Sequence, residues 1–130
     1  GLKKKVEKLV AAVTLTNEDS GKVFMCDSAG GAYQITLPTA STGEEGVHYK
    51  FIVDEETPTG DITIAAGSAI ISLVQKDAGG NAANSTAGTQ VSNVILDTTA
   101  QKGDYVELMF VGGEYVGSSM SGIDNGIQTS

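Results

Sequence analysis

His48 and Cys26 are the only imidazole and the only thiol in this 130-residue chain, and they bound the chemistry it can perform. A Ser-His-Asp triad would have to use His48, which alternates with Tyr49 and Lys50 and has no nucleophile elbow beside it. A Cys26–His48 dyad needs a thiolate, yet Cys26 ends the apolar run Val23-Phe24-Met25-Cys26, where burial disfavours ionisation. One His and one Cys also exclude Cys/His zinc sites and disulfides within a single chain. Carboxylates are more plentiful, in Glu44-Glu45 and Asp54-Glu55-Glu56. Paired carboxylates suit glycoside hydrolysis, but the seven aromatics include no Trp to serve as a sugar platform. Turn carboxylates and carbonyls suit Ca²⁺, but no EF-hand ladder is present. Ser28-Ala29-Gly30-Gly31-Ala32 lacks a following Lys-Ser/Thr and precedes a strand pattern, so it is a turn rather than a phosphate cradle. These residues imply no enzyme, no cofactor and no metal.

The elements that must position these residues are short and extended. Tyr33-Gln34-Ile35-Thr36-Leu37 alternates apolar and polar residues until Pro38 closes it. His48 to Val53 places Tyr49, Phe51 and Val53 on one face, and Tyr105 to Phe110 does the same with Val106, Leu108 and Phe110. Asp61 to Ala65, Leu15, Lys22–Asp27, Ala69–Val74, Val91–Leu96 and Glu114–Gly117 bring the expected total to about nine strands. Seventeen glycines punctuate them, and Val111-Gly112-Gly113-Glu114 is a two-residue hairpin signal. No amphipathic helix follows Val13, so the expected fold is all-β, an antiparallel β-sandwich of jelly-roll type over residues 14–117. Gln75–Gln90 reads as a long polar loop, and 118–130 as a Gly/Ser-rich tail with Ile123 and Ile127 as possible anchors.

Residues 1–13 follow a different rhythm. Leu2, Val6, Leu9 and Val13 recur at spacings of four, three and four, the seam of a short helical arm. Two heptads are too short to be helical alone in water, so the arm must pack on its own domain, on other copies or on a larger partner. All eight basic residues are Lys, and Lys3, Lys4, Lys5 and Lys8 crowd the arm. The first ten residues carry a net +3 and the remainder −11, within a formal total of −8. An acidic body without Arg argues against nucleic acid, and no apolar run reaches the ~18 residues of a membrane span. The start at Gly1 is expected of a processed, trimmed or tag-derived terminus, and Val6–Val13 is too short and interrupted for a signal core.

The series Leu15-Thr16-Asn17-Glu18-Asp19-Ser20-Gly21-Lys22, Ile35-Thr36-Leu37-Pro38, Tyr49-Lys50-Phe51-Ile52-Val53, Lys102-Gly103-Asp104 and Tyr115-Val116-Gly117 resembles a recurrent module of bacteriophage virion proteins. The resemblance is to capsid decoration (cement) proteins and small head- or tail-fibre domains, and it covers roughly Leu15 to Gly117. It implies no catalytic residues. It implies a structural protein on the virion surface that binds the major capsid protein and associates with itself, as a trimer. On that expectation Lys3, Lys4, Lys5 and Lys8 meet an acidic capsid or neighbouring-subunit surface, while Leu2, Val6, Leu9 and Val13 pack the arm. The alternative is a receptor- or glycan-binding fibre module using the 75–90 loop with Tyr33, Tyr105 or Tyr115.

Overall fold

A computed structural model of the chain describes residues 3–79, 82–84 and 91–130. Twelve strands are found among them: β1 (Val6–Leu9), β2 (Val13–Thr14), β3 (Val23–Cys26), β4 (Tyr33–Thr36), β5 (His48–Val53), β6 (Ile62–Ala65), β7 (Ile71–Asp77), β8 (Ala82–Asn84), β9 (Asn93–Leu96), β10 (Tyr105–Val111), β11 (Glu114–Ser121) and β12 (Ile127–Thr129). They form a seven-stranded sheet in the order β1-β3-β5-β10-β11-β7-β8 and a five-stranded sheet in the order β12-β9-β6-β4-β2. The all-β expectation is met. The inner faces of both sheets feed one hydrophobic core, a sandwich-like arrangement.

The pairing is mixed, which corrects the expected antiparallel course. From β1 to β6 the chain alternates between the two sheets at every step. Strands two apart in sequence therefore lie side by side and parallel: β1 with β3, β3 with β5, β2 with β4, and β4 with β6. This half of the molecule is wound as a two-sheeted coil. The later half supplies mostly antiparallel pairs, β5 with β10, β10 with β11, β6 with β9, β9 with β12 and β7 with β8, while β7 and β11 run parallel. The hairpin expected at Val111–Glu114 is present, with Gly112 and Gly113 both at positive φ, 62° and 85°. That is the conformation a right-twisted two-residue hairpin requires.

The expected helical arm is also corrected. Val6–Leu9 is the edge strand β1, paired with β3 from Val6–Val23 to Leu9–Cys26. The open edge of β3 offers each residue backbone partners that an isolated two-heptad helix would have to nucleate by itself. The expected boundaries at 13/14 and 117/118 fall inside β2 and β11. The tail is not free: β12 pairs with β9 and buries Ile127. Within the expected 75–90 loop, 75–77 belong to β7 and 82–84 form β8 against it; residues 80–81 and 85–90 lie outside the described residues.

Aromatic side chains fill the centre. Phe24 stacks on Phe51 with ring centroids 5.5 Å apart, Tyr49 tilts against both, and Phe110 meets Tyr115 edge-on at 5.1 Å. Three tyrosines with buried or half-buried rings tie their strands to the end of β1 or to crossover segments through their hydroxyls. Tyr33 donates to the Leu9 carbonyl, Tyr49 to Thr16 and Tyr115 to Pro38, at 3.1, 2.9 and 2.6 Å. Burial pushes all three phenols above the ordinary tyrosine range, Tyr115 to about 12.

Candidate interaction surface

Of the four residues expected to form the arm's seam, the three described do not share one face. In strand geometry alternate side chains point to opposite faces, so Val6 and Lys8 lie outward on the seven-stranded sheet and Leu9 turns into the core. Val13 is half-buried against the core from the other sheet, and Leu2 lies outside the described residues. Lys3, Lys4 and Lys5 are exposed. Lys8 has acidic partners within its own chain: its Nζ is 3.3 Å from Asp27 Oδ2 and 3.7 Å from Asp54 Oδ2. The hydrogen bond to Asp27 raises the Lys8 pKa. Asp27 is held below the usual carboxylate range, first by the Ala29 backbone N–H and then, against its desolvation, by Lys8. The cluster that would attract an external cation is thus occupied by β1 itself.

The outer face of the seven-stranded sheet is the most apolar exposed surface described. The register sets Val6, Val23, Lys50, Glu107, Ser118 and Val74 in one row across six strands. The next row holds Lys8, Met25, Ile52, Tyr105, Met120 and Lys76. His48, Met109 and Val116 follow on the other side, and Val111 beyond them. Val6, Val74, Met109, Val111 and Met120 are 42–61% exposed, and among the large apolar side chains of the described residues only Val10 joins them at that exposure. A groove of about 290 Å³ opens on this face, walled by Val23, Met109 and Val116 with Lys4, Lys22 and Lys50 at its rim. Lys50 Nζ contacts Glu107 Oε1 at 3.2 Å and lies 4.7 Å from the Tyr105 ring centre. The opposite sheet turns Gln34, Thr36, Thr63 and Gln128 outward instead.

The residues weighed for chemistry are distributed as follows. Cys26 is buried and free, and burial pushes its thiol up to about 12. It pairs with Val53, at the end of β5 opposite to His48. Five strand residues put the two about 16 Å apart along the strand, so no Cys–His dyad forms. His48 Nδ1 is 3.1 Å from the Gly46 carbonyl and 3.5 Å from Ser20 Oγ, and the His48 backbone N–H donates to the same hydroxyl. Among the described residues no group of three or more His, Cys, Asp or Glu is gathered as metal ligands.

The acidic pairs hold turns. Glu45 accepts from the Gly112 N–H at 2.7 Å, and Glu55 accepts from the Ser28 N–H and hydroxyl. Ser28, fully buried, is a hub that the sequence reading passed over as part of a turn. Its Oγ also accepts from the backbone N–H of Thr59 and of Gly60. The only sequence signal was its place between Asp27 and the Gly30-Gly31 pair. Tyr115, assigned to a glycan platform, has no exposed surface; Tyr105 and part of Tyr33 reach the exterior.

The motif series marks junctions. Lys22 Nζ bonds Asp19 Oδ1 at 2.6 Å, and Asp19 Oδ2 accepts from the Thr16 N–H at 2.9 Å, closing the short 3₁₀ turn at Asn17–Asp19. Asp19 is held below the usual range: desolvation opposes this, and Lys22 and Thr16 outweigh it. Gly21 takes φ 86°, and Asn17 bridges to the Thr42 carbonyl and the Glu44 N–H. Asp104, nearly buried, accepts from the Gln101 and Gly122 N–H groups and the Ser121 hydroxyl. No helix of the described residues is long and apolar enough to cross a membrane. No protein-family model matches the chain, and no curated protein matches it significantly.

Proposed function

We propose that the protein is a structural virion component, a capsid decoration protein that binds the major capsid protein, reinforces the shell from outside and associates with itself, as a trimer in the family expectation. The observation that carries this reading is the place of the motif series. Asn17, Asp19, Gly21, Lys22, Pro38 and Asp104 all serve as turn closures or strand anchors. Residues shared with the module for architectural reasons are what a binding scaffold needs, and none of them is required to react. The mixed sheets keep the two-layer core of the expected sandwich. In this reading a jelly-roll-like outline has been re-paired in parallel along β1 to β6.

Of the arm's lysines, Lys3, Lys4 and Lys5 are exposed and face outward towards an acidic capsid surface, with Lys8 committed to Asp27 and Asp54. Because β1 contributes Leu9 to the core, the arm is tested by substitution rather than deletion. Particles assembled with the wild-type chain carry it on their outer surface, visible by electron microscopy. The triple change Lys3→Glu, Lys4→Glu and Lys5→Glu lowers occupancy at least ten-fold while thermal unfolding stays within a few degrees. Unchanged occupancy removes the lysines from the mechanism, and particles without the chain overturn the reading.

A further inference from the structure

We infer that the outer face of the seven-stranded sheet is the surface through which copies of this chain meet. The inference rests on the assembly reading for the expectation that copies associate, and on the geometry for where they do so. Among the described residues, five of the six exposed large apolar side chains lie on this one face, with the groove between Val23, Met109 and Val116 at its centre. Concentrated apolar exposure of this kind marks an interaction site.

Area and charge select a second copy as the occupant. Seven strands about 4.8 Å apart, the central two about 24 Å long, give a face of roughly 600 Å² in projection, more once side chains are counted. A stable complex buries about 800 Å² on each partner. The chain as a whole is strongly acidic, so two copies repel over most of their surface. This face is the exception: Lys8 and Lys22 are paired to carboxylates at its edge, and Lys4, Lys50 and Lys76 stand against Glu107 and Glu114, which leaves it close to neutral. Lys50 on β5 and Glu107 on β10 are neighbours in the middle row, so the face is its own electrostatic complement. A copy arriving about a two-fold axis sets its Glu107 toward Lys50 and its methionines into the groove, a pairwise contact distinct from the three-fold one of the family expectation.

The test is sedimentation of the full chain over a concentration series, with Met109→Asp and Met120→Asp as variants. Both side chains are exposed in the single chain, so circular dichroism of the variants stays that of the wild type. Association is expected in the micromolar range for the wild type, weakened at least ten-fold by either substitution. Gln34→Asp on the opposite sheet leaves it unchanged. Lys50→Glu weakens association and the added Glu107→Lys restores it. A wild type that stays monomeric at about 100 μM overturns the inference, as do outer-face variants that associate like the wild type. A monomer that still decorates shells removes this inference alone, whereas an oligomer broken by the variants but absent from particles removes only the proposed function.

Discussion

Replacing Leu9 and Val6 separately by Ala distinguishes an edge strand from a helical seam, because a seam would use both residues as equivalent knobs. In β1 they point to opposite faces: Leu9 is 6% exposed in the core and Val6 is 61% exposed. Leu9→Ala removes three carbons from the interior, about 2.4 kcal/mol at about 0.8 kcal/mol per buried methylene. Any cavity term is small, since the edge of a sheet can relax or admit water. Val6→Ala removes two carbons that are less than half covered, about 0.6 kcal/mol on the same scale. For a domain of this size about 4 °C accompanies each kcal/mol, so the expected shifts are about 10 °C and about 2 °C. Thermal unfolding followed by circular dichroism, at concentrations where the chain is monomeric, reads both. Equal losses, or a larger loss at Val6, would refute the placement of β1 and restore the helical seam.

Two further outcomes follow from close packing and burial. A Cβ at Gly117 would collide with the Glu107 carbonyl oxygen, which is backbone and cannot rotate away. Gly117→Ala is therefore expected to cost about 2–3 kcal/mol, read by urea unfolding, while Ser118→Ala beside it costs under about 0.5 kcal/mol. Cys26 and Tyr115 both have folded pKa values raised to about 12 by burial. Their contribution to stability is intact below the unfolded values near 9 and 10 and is lost as pH rises from there towards 12. Unfolding temperature should fall across that window while Cys26 stays unreactive to alkylating reagents at pH 8 until denaturant is added; rapid alkylation of the folded chain at pH 8 would contradict the burial.

The strands of the core were legible because period-two alternation depends only on which residues face inward, and Tyr49, Phe51, Val106, Leu108 and Phe110 follow it without exception. The hairpin at Gly112-Gly113 was legible because two glycines at positive φ have little other use between apolar runs. Parallel pairing was not legible, since alternation is the same whichever way a neighbour runs. The available hint was loop length: six residues separate β3 from β4 and eight separate β5 from β6, long for hairpins but suited to crossing between sheets. β1 misled because Leu2, Val6, Leu9 and Val13 match a heptad by spacing alone. The competing signal, an unpaired edge on β3 for it to join, exists only once the rest has folded. The interaction face was hidden for a related reason. Val74, Met109 and Met120 come from three separate strands, and only the register of β7, β10 and β11 brings them together.

The wound course of β1 to β6 also dictates how the molecule yields to tension. Val6 and Val23 neighbour each other across 17 residues, and Val23 and Lys50 across 27, so each turn of the coil leans mainly on the next. A pull on the N-terminus takes β1 and then β2 from the outer edges of their sheets without first touching the β5-β10-β11 centre. The C-terminus is held differently, with β12 beside β9 and its Ile127 carbonyl bonded by the Gln75 side chain of the other sheet. Such a chain gives way in small steps from its N-terminal end, one edge strand at a time.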